Sequence, residues 1–590
     1  MRAFLAVSLS PRAAQHLRRP VPAALACLGS NESEPAQSDV RDGGWLGFAG
    51  PDPQDIVDTA TGRFTVRLGR AMRTADGDVP TDRLASMIEK GTGLAAIVPP
   101  FGGVHREDGA SSLVAAGDWL GLRQLYLWRG NGVAAISTSA RALAVLTGGG
   151  LDPVALGTQA MIGWQIGDGT VFEDVTVLPP ATIVTLRDGV ATTRQYASSS
   201  AAPDTSAPPT LDEAVDEMAE ILRTWLSRYV HDHPDSVLQL TGGHDSRILL
   251  AAIPQEARKG LRTMTVGDKD VPDVRIAASL SSRYGMPHRV LPLGEDLWPS
   301  PAEAHRLAIL SSYELDGMAS PLALAPLLLA ESRLEQGHRF SGLGGEVARG
   351  FYYAGNPSTA TTSPRLVERL ARWRIFANEA VEPEALDPEF YGHARSTTLA
   401  TLSDLFPPGD WLRATDHFYL FQRMHRWSGT HSSVAAERRF FINPMLDRRF
   451  IELALAVAPA DKRDSILLGR LTKRLDPTLA RIPLDTGLSP ARLGSRTALT
   501  RVAVATLTGR KVASKVRQRL RRGRRPQLGA EHASTLVLEH WRANPASCAA
   551  LYDLPLLRRE WLDEVLAGSR QVTPTTMAFL VNLVAVAVRP

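Results

Sequence analysis

Apolar positions come in short, evenly spaced runs over the first third of the chain and shift to helical spacing further on. Phe4-Leu5-Ala6-Val7, Phe64-Thr65-Val66, Ala95-Ala96-Ile97-Val98, Leu125-Tyr126-Leu127-Trp128 and Ala134-Ala135-Ile136-Ser137 read as strands parted by Gly and Asp turns. Residues 1–196 are therefore expected to form a β-rich unit. Residues 197–210 are Ser, Ala, Pro and Thr with one charge at Asp204, a linker composition. Leu211, Val215, Met218, Ile221, Leu222, Trp225 and Tyr229 then follow helical spacing, which predicts a packing helix. Residues 237–240 are apolar between polar neighbours and predict a buried parallel strand. Thr241-Gly242-Gly243 supplies a tight turn, and Asp245 and Ser246 open a helix with an apolar stripe of Ile248, Leu249 and Ile253. Strands alternate with helices to about residue 350, which predicts a parallel sheet with ligands at the carboxyl ends of its strands. The rest of the 211–590 unit reads as mainly helical, so the expected class is α/β.

Composition narrows the function only a little. A chain of 590 residues exceeds one core and implies two or three domains. Apolar content of 44% and charged content of 22% are those of an ordinary globular protein. A formal charge of +4 gives no reason to expect nucleic acid as a partner. The 2 cysteines, Cys27 and Cys548, exclude a disulfide scaffold or a cysteine zinc site and suit a reducing cytoplasm. No run reaches the roughly 20 apolar residues of a membrane span, so no membrane partner and a cytoplasmic location are expected. The basic run 510–525 fits either a docking surface or a solvated segment, and such runs are more often the latter.

The chemistry concentrates in two small-residue stretches. A strand, a glycine turn and a helix start present unpaired N–H groups and the positive helix end to one spot, an anion site. No Gly-Lys-Ser/Thr follows, so it is not a Walker loop. Downstream, Ser341-Gly342-Leu343-Gly344-Gly345-Glu346-Val347-Ala348-Arg349-Gly350-Phe351-Tyr352 is again rich in small residues and carries a carboxylate. Asp245 and Glu346, on two strand-end loops, suit one Mg²⁺, which takes one or two protein carboxylates and completes its shell with phosphate and water.

These residues resemble the asparagine synthetase family. Thr241 to Ser246 is similar to its Ser-Gly-Gly-x-Asp-Ser pyrophosphate loop. Ser341 to Tyr352 is similar to its second glycine motif, with Glu346 at the position of the metal-binding Asp. Thr263-Met264-Thr265-Val266-Gly267, Asp273, Ala277 and Gly285-Met286-Pro287-His288 follow the family's second strand, helix and turn. Residues 211–590 thus resemble its ATP-pyrophosphatase domain, and 1–196 its Ntn-type glutaminase domain in degenerate form. Gly117-Asp118-Trp119-Leu120-Gly121, Ser137 to Leu143 and Val177 to Ala181 carry the second likeness. The family's glutaminase nucleophile is a cysteine after the initiator Met. Arg2 stands there, so no glutamine hydrolysis is expected.

The resemblance implies ATP and Mg²⁺ as cofactors. It implies nucleotide contacts at Leu240, Thr241, Gly242, Gly243, Asp245, Ser246, Thr265, Val266, Gly342 and Gly344, and metal contacts at Asp245 and Glu346. Two departures count against asparagine and β-lactam synthesis. The stretch Arg481-Ile482-Pro483-Leu484-Asp485-Thr486-Gly487 lacks the family's late lysine, and Leu343 replaces its Glu or Tyr. The remaining pattern is most similar to the lasso peptide cyclases, which adenylate an Asp or Glu side chain of a precursor peptide and close a macrolactam on its N-terminal amine. A leader peptidase or leader-binding protein is a further partner in that reading. Alternatives are a small-molecule amide ligase without glutaminase activity and a non-catalytic nucleotide-binding scaffold. Candidate catalytic groups are Asp245 and Glu346, with Glu437, His431 and Asp485 as candidates for the general base.

Overall fold

The computed structural model describes residues 3–11, 13, 20–28, 37–41, 44–49, 64–106, 112–198, 208–335, 337–495, 497, 500, 502–504, 506 and 529–587. Arg2, residues 199–207 of the expected linker and the basic run 510–525 lie outside the described residues.

The first unit contains β1 (Ala3–Leu9), β2 (Gln37–Arg41), β3 (Gly44–Ala49), β4 (Phe64–Leu68), β5 (Arg73–Thr74), β6 (Gly77–Asp78), β7 (Gly102–Arg106), β8 (Leu113–Gly117), β9 (Tyr126–Gly130), β10 (Val133–Ser137), β11 (Thr176–Val177), β12 (Thr182–Arg187) and β13 (Val190–Gln195). They build a six-stranded antiparallel sheet, β11-β9-β10-β1-β3-β2, and a five-stranded one, β13-β12-β8-β7-β4, while β5 and β6 pair separately. Strand periodicity explains the layering, because alternate side chains leave opposite faces. Phe4, Ala6, Ala134 and Ile136 of one sheet meet Val104, Ala115, Val184 and Leu186 of the other. Leu5, Val7 and Ala135 face outward onto helices that include Ala24 and Leu143. Ala116 and Ile183 face outward onto Leu84 and Ile88 of the helix Thr81–Lys90. The result is a helix–sheet–sheet–helix sandwich.

One expected strand is corrected. Leu94–Ala96 form a single 3-10 turn after left-handed Gly93, and the Val98 N–H bonds the Arg73 carbonyl at 2.9 Å outside any ladder. Pro99 and Pro100, which follow directly, offer no N–H for sheet pairing.

The second unit is organised by β14 (Val237–Gln239), β15 (Arg262–Val266), β16 (His288–Leu291), β17 (Arg339–Phe340) and β18 (Phe441–Ile442). All neighbouring pairs are parallel, in the order β16-β15-β14-β17-β18. Leu238 sits opposite Thr263 on one side and Phe340 on the other. From β14 the chain winds outward to β16, then restarts on the far side at β17. A crevice therefore opens between the carboxyl ends of β14 and β17, where the two flanking connections leave in opposite directions. The helix His244–Ala252 follows β14 and packs between Leu211–Asp232 and Ile466–Leu475. It is buried on all sides from Ser246 to Ala252, not along one stripe only. The remainder is helical and ends in Pro574–Ala587, buried from Thr576 to Ala585. Among the described residues no helix is long and apolar enough to cross a membrane.

The two units share one continuous apolar core and two polar locks. Arg123 of the sandwich makes an ion pair with Glu437 of the helical part, both nearly fully buried. Asp316 accepts hydrogen bonds from Ser139 Oγ (2.7 Å), Ala140 N (3.0 Å) and Arg141 N (3.1 Å), so a carboxylate of the second unit caps the helix Ala140–Thr147 of the first. Such a cap satisfies N–H groups that a helix start leaves without partners.

Candidate functional site

The loop after β14 is held by its own side chains. Thr241 N donates to Ser246 Oγ at 2.9 Å, the two hydroxyls lie 3.1 Å apart, and Gly243 N donates to Thr241 Oγ1 at 3.2 Å. Gly242 N donates to Asp273 Oδ1 at 3.0 Å, and the Gly242 carbonyl accepts from Asp485 N at 3.1 Å. Gly243 precedes the helix His244–Ala252 in extended backbone with no side-chain cap bond. A helix start of this kind favours an anion through the positive end of its dipole.

The loop after β17 packs directly onto that helix start. A Cβ at Gly342 would lie 2.6 Å from Asp245 Cβ and 2.7 Å from its carbonyl carbon, and one at Gly345 would lie 2.4 Å from Asp245 Oδ1. Gly344 adopts φ +103°, a conformation natural to glycine. This close approach puts Asp245 and Glu346 on either side of one cation, with Arg349 Nη2 3.8 Å from Asp245 Oδ2 and 3.9 Å from Glu346 Oε1. Glu346 Oε2 also accepts from Gly344 N at 3.1 Å, and Ser341 Oγ donates to Asn443 Oδ1 at 2.7 Å.

Burial, followed by repulsion from Glu346, pushes the Asp245 carboxyl up to about 7, with Arg349 pulling the other way. Asp245 Oδ1 is buried without a hydrogen-bond partner. Burial opposes the Arg349 charge, yet Asp245, Glu346, Tyr419 and Asp485 together raise its pKa. Two crowded carboxylates, one with an orphaned buried oxygen, form a donor set that a hard divalent cation would complete.

Thr241, Gly243, His244, Asp245 and Arg349 open onto a cavity of about 880 Å³. The same cavity is also lined by Phe351, Tyr353, Arg369, Trp373, Arg374 and Arg463. That volume lies in the upper part of the usual ligand-pocket range of roughly 300–1,000 Å³.

Asp485 lines this cavity, as do Thr241, Gly243 and Asp245, whereas Gly342, Gly344 and Glu346 stand behind them. Leu240, Thr265 and Val266 frame the site without lining it, and Thr265 Oγ1 donates to the Leu240 carbonyl at 2.7 Å. The other two candidates for the general base, Glu437 and His431, do not line this cavity. Glu437 is engaged by Arg123 at the junction with the sandwich, where burial pushes it up to about 7. His431 lies outside the cavity with Nδ1 bonded to the Trp427 carbonyl at 2.9 Å, and burial lowers its pKa. The cavity's arginines escaped sequence reasoning. Only Arg349, three positions after Glu346 in the second loop, carried a local signal.

No protein-family model matches the chain, and no curated protein matches it. Among solved structures, similarity is found to an allosteric regulatory enzyme of purine biosynthesis at a TM-score of 0.23 and 10% identity, over 49% of this chain and 80% of that chain. A B. subtilis glutamine phosphoribosylpyrophosphate amidotransferase complexed with ADP and GMP gives a TM-score of 0.23 and 11% identity, over 51% of this chain and 69% of that chain. Superpositions this loose identify no fold.

Proposed function

We propose that this chain is an ATP-dependent, AMP-forming ligase that makes an amide bond, and specifically a lasso peptide cyclase closing a macrolactam between a side-chain carboxylate and the N-terminal amine of a precursor peptide. One observation carries the reading. Two glycine loops leave adjacent strands at the switch point of a parallel sheet and bring Asp245 and Glu346 together beside a large cavity.

When bound, ATP with Mg²⁺ supplies a good leaving group for a carboxylate oxygen that is otherwise too costly to expel. Asp245 and Glu346 are the residues that would hold the metal. The N–H groups at the start of His244–Ala252 bind and orient phosphate oxygens. The lock between Thr241 and Ser246 keeps those donors in place before substrate arrives, so little reorganisation accompanies charge development. Arg349 balances the two carboxylates. The cavity walls hold both reacting ends of one chain, which replaces an encounter with an intramolecular step worth roughly 7–11 kcal/mol. Asp485 is the one expected base candidate that lines the cavity.

ATP–pyrophosphate exchange tests this directly. Exchange that requires a leaderless peptide with an internal Asp or Glu, and is lost in Asp245→Ala, is the expected result. Exchange driven only by small carboxylic acids would move the assignment to a small-molecule amide ligase, and silence with every acid tried would count against a ligase.

A further inference from the structure

The lining of the cavity is unusual in its arginines. Arg369, Arg374 and Arg463 all line the cavity, and among the described residues none makes an ion pair. Their partners are neutral. Arg369 donates to Asn356 Oδ1 at 3.2 Å, and Arg463 donates to the Asn356 carbonyl at 3.1 Å. Asn356 is itself held, its Nδ2 donating to the Tyr352 carbonyl at 2.6 Å and its Oδ1 accepting from Trp411 Nε1 at 3.0 Å. Arg374 lies 4.8 Å from the Phe351 ring centre and 5.2 Å from that of Tyr352. Burial and the like charges of Arg423 and Arg349 lower its pKa. Directly after Arg463, Asp464 and Ser465 take φ of +60° and +63°, two non-glycine residues in the left-handed region in succession. The helix Ile466–Leu475 then starts at the cavity rim.

Arg369 is exposed and Arg374 and Arg463 are half-buried, so none is locked into the core, and none is paired with the carboxylates of Asp245, Asp273, Asp464 and Asp485 that line the same cavity. Their guanidinium donors are therefore open to an anion that enters it, and strained backbone persists where the surrounding structure imposes it. We propose that Arg369, Arg374 and Arg463 form an oxyanion-binding subsite in the cavity onto which the first glycine loop opens. Guanidinium forks match carboxylate and phosphate oxygens equally, so two sources share this chemistry. One is the carboxylate of the acyl substrate, for which the flanking Phe351, Tyr353 and Trp373 offer apolar cover. The other is a polyphosphate. Assigning either to a reaction partner rests on the ligase reading, whereas the anion site itself does not.

Calorimetry on the full-length protein without Mg²⁺ separates the cases. The probes are inorganic pyrophosphate, the capped tripeptide acetyl-Phe-Glu-Phe-amide and its Gln counterpart. At least one anion binds the wild type, and the neutral peptide binds ~10-fold more weakly or not at all. Arg374→Gln/Arg463→Gln weakens that anion by at least ~10-fold and flattens its salt dependence, with Arg374→Lys/Arg463→Lys in between. Loss confined to the peptide assigns the subsite to a substrate carboxylate, and loss confined to pyrophosphate assigns it to the polyphosphate. Unchanged affinity in a variant whose thermal midpoint equals the wild type's, or no binding of either anion, overturns the subsite. Absence of ATP–pyrophosphate exchange with anion binding intact sinks the ligase reading alone. Normal exchange with unchanged anion affinity in the double variant sinks the subsite alone.

Discussion

Asp245 holds a carboxyl where its charge is expensive. Its pKa, raised to about 7 by burial and Glu346, means the folded protein keeps a proton that the unfolded chain releases near the ordinary Asp value. The sign follows from linkage. A raised folded pKa contributes stability that is complete below about pH 4 and is lost as pH rises through about 7. Glu437, also pushed up to about 7, acts in the same direction. Urea denaturation without Mg²⁺ is therefore expected to show a falling contribution from pH 5 to pH 8 that is smaller in Asp245→Asn. Mg²⁺ displaces that proton, so its affinity in the presence of ATP is expected to rise over the same range. A flat Mg²⁺ affinity between pH 5 and pH 8 would remove Asp245 from the metal site.

The strand–turn–helix and the second glycine loop depend on each other through missing side chains. Gly342→Ala would put a methyl 2.6 Å from Asp245 Cβ, against a buried helix start that cannot move aside. It is expected to cost about 1–3 kcal/mol in denaturation and to abolish exchange. Gly243→Ala is the contrast. Its nearest obstacle is Thr241 Oγ1 at 3.4 Å and its φ is −80°, so stability should stay within about 0.5 kcal/mol of wild type. The new methyl projects where Gly243 lines the cavity, so exchange should still fall. Equal losses of stability in both variants would refute this distinction. Both loops were legible in the sequence because a turn's chemistry is local: Gly242, Gly243 and the helix opening at Asp245 lie within a few residues of one another. Residues 95–98 misled for a related reason. Their apolar run matched a strand, and the prolines just beyond it denied the pairing.

The junction of the two units depends on Arg123 and Glu437, both almost fully buried. Arg123→Met alone strands a buried carboxylate and is expected to cost roughly 3–5 kcal/mol, most of it recovered in Arg123→Met/Glu437→Leu. A double variant as unstable as the sum of the singles would show that the pair is not coupled. The junction gives Glu437 a packing role that its local sequence does not record. Its neighbours in sequence resemble a functional segment, but the partner that engages it lies 314 positions away.

Periodicity and two glycine-rich loops sufficed for a β-rich unit, an α/β unit and the location of Asp245 and Glu346, because each is encoded over a few consecutive residues. Packing alone decided that Gly342 presses on Asp245, that Arg349 lies near both Asp245 and Glu346, that Glu437 turns to Arg123, and that Arg369, Arg374 and Arg463 line one cavity. Each of those relations includes a partner about a hundred positions away or more, and the local sequence does not record that partner. They exist only once the strands are ordered and the core is closed.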